Sequence, residues 1–220
     1  MEYAKAKPHL IAYIDILGTS EMLASQDYDK FYKAVQDAYQ CWIAISKLEN
    51  TIKVKTFSDN IVFAHPFEDE TKEEKFIKIR DFLNMVYIFQ DNLLMENGML
   101  VRGGICIGDL ILNDVLVLGP GLIEAYFLES HIATYPRIVV SDAFYKTAQS
   151  LIPEKILELL IQTDMDGVKC INFLMERTAE KAMKIADFCD KKIVEQKNKS
   201  NPNLKAIQKY AWLKTLVKDR

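Results

Sequence analysis

His9–Leu17, HLIAYIDIL, and Thr51–Ala64, TIKVKTFSDNIVFA, decide how this chain is read. The first is apolar on both alternating faces, the pattern of a central strand covered on at least one side, and Gly18 ends it. The second holds two β-rich runs around Ser58-Asp59-Asn60, a composition that favours a tight hairpin turn, so Asp59 is expected at a hairpin tip. Between them, Phe31, Ala34, Val35, Ala38, Trp42 and Ile45 recur at helical spacing and predict a helix over Asp27–Leu48, opened by Asp27 and Asp29. Phe76–Met95 is helical in period up to an Asn97-Gly98 stop.

Beyond that stop, Met99–Ile107 and Asp109–Leu118 read as a pair of strands separated near Gly108, and a helix is expected from Gly119-Pro120-Gly121 to about His131. Arg137–Val140 predicts a short strand, Asp142–Ser150 a short helix and Val168–Leu174 the last strand. Thr178–Lys197 and Asn203–Lys218 predict two terminal helices, broken at Asn201-Pro202. This order of elements predicts an α+β fold: a ferredoxin-like antiparallel sheet with helices on one face, elaborated by C-terminal helices. A single domain over 1–220 is expected, with a core at 8–175 and a helical extension at 176–220; 220 residues suit one domain.

Bulk composition excludes some classes. A formal charge of −3 provides no basic excess for nucleic-acid binding, and half the residues are hydrophobic, which argues against disorder. No apolar run reaches membrane-spanning length and the N-terminus lacks a signal-peptide pattern, so a cytoplasmic protein without membrane contact is expected. Cys41, Cys106, Cys170 and Cys189 form no close pair and read as buried thiols. His9, His65 and His131 are too dispersed for a metal cluster.

Asp15 is the sharpest chemical signal, because an ionisable group inside an apolar strand needs a compensating partner. If the hairpin lies beside that strand, Asp59 comes near Asp15, and two carboxylates together call for a cation. On spacing alone the alternative has similar weight: Asp15 caps a helix opening near Thr19, and Asp59 fills a turn.

The segments YIDILGTSE (Tyr13–Glu21), IKVKTFSDNIVFA (Ile52–Ala64), VRGGICIGDL (Val101–Leu110) and VLGPGLIEAYFLE (Val117–Glu129) resemble, in order and spacing, the signature segments of class III nucleotidyl cyclases. The resemblance implies that Asp15, Asp59 and the carbonyl of Ile16 hold a pair of divalent ions, Mn2+ or Mg2+, which activate the ribose 3′ hydroxyl and neutralise the triphosphate. It implies a phosphate cradle from the N–H groups of Ile16, Leu17, Gly18 and Thr19. Lys55 matches the position that reads the purine in adenylate cyclases. The Asn and Arg that follow the glycine turn in typical members are Ile123 and Phe127 here, and a late lysine is replaced by Asp166. Arg102, as a catalytic cation, and Arg137, as a substrate-binding one, are the candidates to supply the missing charge, although Arg102, on a core strand, could equally face the base pocket or pair with an acidic neighbour.

A narrower resemblance, in GPGLIEAYFLES, ATYPRIVVSDAFY, DGVKCINFL and KYAWLKTLV, is to compact bacterial stand-alone cyclases, including the pyrimidine cyclases of Pycsar antiphage systems. It implies UTP or CTP as substrate, a 3′,5′-cyclic nucleotide and pyrophosphate as products, and a homodimer with shared active sites. The effector would then respond to the cyclic nucleotide, not to the protein. Lys55 fits an adenylate cyclase better, Ile123 and Phe127 fit a nucleotide-binding regulatory module without turnover, and a polymerase-like relative of the same fold also uses paired carboxylates.

Overall fold

The computed structural model describes residues 5–19, 28–29, 31–33, 35–36, 52–68, 70–175 and 178–218. By their internal packing they fall into two compact units, Met1–Asn172 and Phe173–Arg220. The helix expected over Asp27–Leu48 lies largely outside the described residues, as does Cys41; the described members at 28–29, 31–33 and 35–36 are helical.

In the first unit, β1 (Lys7–Leu17) runs between β3 (Asn60–Pro66) and β4 (Leu100–Leu112), antiparallel to both. Leu10, Ile11, Ala12 and Ile14 are fully buried, so both faces of β1 are covered, as its unbroken apolar run requires. β2 (Lys53–Phe57) pairs with β3 through a two-residue turn at Ser58-Asp59, where Ser58 takes a φ of 57°. Positive φ at the first turn residue matches the right-handed twist of a two-residue hairpin. The order β2-β3-β1-β4 is the ferredoxin-like core, and the eight-stranded sheet continues through β6 (Ile138–Val140), β8 (Lys169–Ile171) and β7 (Ile161–Thr163), with β5 (Val117–Leu118) on β4. The α+β architecture is therefore as expected, and the sheet is mixed because β6 joins β4 in parallel after a helical crossover.

α1 (Lys72–Asn97) opens with a reciprocal capping box between Thr71 and Glu74 and closes at Gly98, φ 64°. Its stripe of Ile79, Phe82, Val86, Phe89 and Leu93 is buried, and Phe89 meets Phe63 of β3 edge-on at 5.2 Å. Phe63 lies opposite Ala12, whereas α2 (Pro120–Phe127) packs against Ile11, the next residue of β1. Neighbouring strand residues point to opposite faces, so α1 and α2 flank the sheet on its two sides, which corrects the expectation of helices on one face only.

One local expectation is corrected, and two short elements went unread. Gly108 does not separate two strands: β4 runs unbroken from Leu100 to Leu112. A Cβ at Gly108 would stand 2.5 Å from the Cα of Gly121, so this glycine serves the approach of α2 and breaks no strand. α4 (Glu154–Leu160) and β7 were not legible, because elements of 7 and 3 residues carry too little periodicity. Before them, α3 (Asp142–Leu151) is capped by the Ser141 hydroxyl, which accepts from the Phe144 N–H.

The second unit is a helical hairpin of α5 (Ala179–Lys197), capped by Thr178, and α6 (Leu204–Lys218). Phe188 and Tyr210 meet edge-on at 5.9 Å, and Lys214 pairs with Asp190. Among the described residues no helix is long and apolar enough to cross a membrane. Cys106, Cys170 and Cys189 are buried free thiols, and burial pushes Cys106 up to about 12.

Candidate functional site

The carboxylate end of β1 meets the tip of the β2–β3 hairpin. Asp15 lies opposite Asn60, and one residue further the Ile16 N–H donates to the carbonyl of Asp59 at 3.0 Å. That bond extends the β1–β3 ladder into the turn and fixes the backbone of Asp59 against the end of β1. The Asp59 carboxylate accepts from the buried Thr19 hydroxyl on one oxygen and from Asn60 Nδ2 at 3.3 Å on the other. Asp15 and Asp59, read from sequence as neighbours, are thus brought to one end of the sheet.

On the other side of β1, Arg102 stands opposite Asp15 in register. Its Nε donates to Asp15 Oδ2 at 3.0 Å and lies 2.6 Å from Glu129 Oε1. Glu129 is buried on a π-helical turn, Leu128–Ile132, that continues α2. Gly104, two residues past Arg102 on the same face of β4, makes this possible: a Cβ there would come within 2.3 Å of the Ala125 carbonyl and 3.1 Å of the Glu129 N–H nitrogen. Tyr13 completes the cluster on the Asp15 face and meets Tyr126 of α2 edge-on at 5.5 Å. Burial first, then the charges of Glu129, Asp15, Tyr126 and Asp59, push its hydroxyl up to about 12.

The remaining sequence candidates divide. Ile16 commits its N–H to Asp59; Leu17 ends β1; Gly18 turns the chain at φ 89°; and Thr19 is buried on Asp59. Lys55, on the face of β2 opposite Val62, donates to the Asp114 carbonyl at 2.6 Å in the turn after β4. Arg137 is not among the partners of Asp15 or Asp59: it is buried and ion-paired with Asp164 and Asp166, with Nη2 2.6 Å from Asp166 Oδ2. Burial opposes its charge, but Asp166 and Asp164 outweigh that and raise its pKa, while Arg137 holds Asp166 below the usual carboxylate range. Ile123 and Phe127 are exposed on α2, with Phe127 stacked on His131 at 4.6 Å. Glu129 and Tyr13 were not singled out from sequence; a carboxylate amid the apolar GPGLIEAYFLES run was the available signal.

Among the described residues no group of three or more His, Cys, Asp or Glu side chains is arranged to hold a metal ion. The strand end presents the carboxylates of Asp15 and Asp59, both hard oxygen donors. That suits Mg2+ or Mn2+, which commonly take one or two carboxylates and complete their shell with substrate phosphates and water.

No protein-family model matches the chain, and no curated protein does. Solved structures do. The chain is similar to the monomeric guanylyl cyclase domain of the RhoGC fusion protein from the aquatic fungus Blastocladiella emersonii, at a TM-score of 0.59 and 13% identity, covering 78% of this chain and 98% of that domain. It is similar to a non-canonical dimeric form of the same RhoGC domain, at 0.54 and 14%, covering 76% and 93%. It is also similar to the guanylate cyclase domain of RhGC from Catenaria anguillulae in complex with GTP, at 0.55 and 14%, covering 76% and 96%. At these identities the likeness shows the fold: the chain has the α+β fold of nucleotide cyclase domains.

Proposed function

We propose that this chain is a metal-dependent nucleotide cyclase that closes a nucleoside triphosphate, UTP or CTP, into a 3′,5′-cyclic nucleotide. The observation that carries the reading is the clasp between Ile16 and Asp59, which sets two carboxylates at one strand end on a fold shared with a domain solved with GTP.

In this reading Asp15, Asp59 and the Ile16 carbonyl hold Mn2+ or Mg2+. When bound, the metal supplies charge neutralisation for the triphosphate and acidifies the ribose 3′ hydroxyl. The 3′ hydroxyl would lose its proton to solvent water, and its oxygen would bond to the α-phosphorus as the bond to pyrophosphate breaks. Thr19 orients the Asp59 carboxylate through its hydroxyl, and Asn60 does so from the other oxygen. Arg102 is the cation paired with Asp15 and tempers its charge. Arg137 acts indirectly, by holding the turn of Asp164 and Asp166. Lys55 serves base reading only if it leaves the Asp114 carbonyl, so it orders the turn after β4 in the absence of nucleotide.

The active unit in this reading is a homodimer with shared sites, and α2, exposed at Ile123 and Phe127, supplies part of the contact. The cyclic product acts as a second messenger on a separate effector, in antiphage signalling. The test is incubation with each ribonucleoside triphosphate and Mn2+, with product identified by mass. A cyclic pyrimidine nucleotide with pyrophosphate supports the reading; cyclic AMP reassigns the base; absence of any cyclic product rejects turnover.

A second reading, a nucleotide-binding regulatory module, is favoured by one observation. Ile123 and Phe127 offer no hydrogen-bond donor where typical cyclases place Asn and Arg. It predicts a thermal shift with triphosphate and no pyrophosphate release.

A further inference from the structure

We infer that Glu129 is a positioning residue for Asp15: it shares the Arg102 guanidinium with that carboxylate and so keeps Asp15 available to a divalent cation. The inference rests on the cyclase reading above. Its geometry is specific. Arg102 Nε donates its hydrogen to Asp15 Oδ2 at 3.0 Å and lies 2.6 Å from Glu129 Oε1, an ion-pair contact without a hydrogen bond, so the buried acid competes for the guanidinium by charge. Arg102 faces Asp15 directly across the β1–β4 ladder, so the two acids draw on one guanidinium.

The fold is shaped to deliver this acid. The chain leaves α-helical geometry for a π turn at Leu128–Ile132, a distortion often found at functional sites, and Gly104 gives up its side chain to let that turn reach β4. Asp15, Asp59 and Glu129 share this end of the sheet with Arg102, leaving negative charge in excess among the described residues there. A divalent ion at Asp15 and Asp59 therefore gains from Glu129 without touching it. Removing that charge while keeping the shape should weaken the ion, and removing the guanidinium should strengthen it.

The experiment is Mn2+ binding in the absence of nucleotide, read from the electron paramagnetic resonance signal of free Mn2+. Wild type is compared with Glu129→Gln, Arg102→Met, the Glu129→Gln/Arg102→Met double variant and Asp59→Asn. Glu129→Gln should bind Mn2+ about tenfold more weakly and Arg102→Met about tenfold more tightly. The double variant, which removes both charges, should return to within about threefold of wild type. Turnover by Glu129→Gln should fall at low Mn2+ and recover at high Mn2+. A folded Glu129→Gln with wild-type Mn2+ affinity overturns the inference. If that variant does not fold, a double variant more than about tenfold weaker than wild type overturns it as well, since charge balance would not govern the site. Unchanged Mn2+ binding in Asp59→Asn defeats the metal site and this inference together. Loss in Asp59→Asn with none in Glu129→Gln defeats the inference alone.

Discussion

The Ile16 N–H donates to the Asp59 carbonyl at 3.0 Å, tying the end of a central strand to the tip of the neighbouring hairpin. A turn residue is normally free to move with its loop. Here the ladder captures it, and the side chains of Asp15 and Asp59 inherit the rigidity of the sheet. Rigid placement is what metal-assisted phosphoryl chemistry requires, since little is left for the protein to do beyond position and charge.

Gly104 should tolerate no side chain. A Cβ there would lie 2.3 Å from the Ala125 carbonyl and 2.5 Å from Leu128 Cβ, so α2 and the π turn must move. Gly104→Ala is expected to cost about 3 kcal/mol by urea denaturation, at the upper end for overpacking. Gly167→Ala, at φ 82° with open space around it, should cost about 1 to 2 kcal/mol through backbone strain alone. Only Gly104→Ala should also weaken Mn2+ binding, because only there is the segment carrying Glu129 displaced. The reverse order of stabilities would contradict this packing.

The Arg137 network sets an acid-side dependence. Arg137 holds Asp166 below its ordinary carboxylate range in the folded state. The contribution is therefore present above the unfolded value of about 4 and is lost as pH falls through the lower folded one. Asp166→Asn should flatten the decline in stability below about pH 4, with a loss at pH 7 of about 1 kcal/mol or less, since Asp166 is 46% exposed and screened. Melting temperatures across pH 2.5 to 7 check this; parallel curves for the two proteins would contradict it.

Ile123, Tyr126 and Phe127 leave an apolar strip of α2 exposed. If this strip forms part of the homodimer, Phe127→Asp should shift sedimentation toward the monomer. The secondary structure should stay intact, and stability should change by about 0.5 kcal/mol at most. Unchanged self-association would place the dimer contact elsewhere.

The sequence made some of this legible and concealed the rest for physical reasons. Asp15 was conspicuous because it interrupts an apolar strand, and Asp59 because Ser58-Asp59-Asn60 is turn composition between β-rich runs. The ladder then joined them. Gly108 misled, since a glycine that admits a helix looks the same in sequence as one that breaks a strand. Glu129 stayed hidden because its partner, Arg102, comes from β4 and meets it only across the packing of α2. Lys55 and Arg137 looked like cations awaiting substrate, whereas their partners, Asp114 for one and Asp164 and Asp166 for the other, lie in distant turns that no local pattern connects to them.

The most direct measurement is a crystal structure with Mn2+ and a non-hydrolysable triphosphate, with metal located by anomalous scattering. The cyclase reading predicts an ion with carboxylate oxygens of both Asp15 and Asp59 at about 2.0 to 2.6 Å and the triphosphate completing its shell. Mn2+ bound elsewhere, or by one of these aspartates without the other, would contradict it.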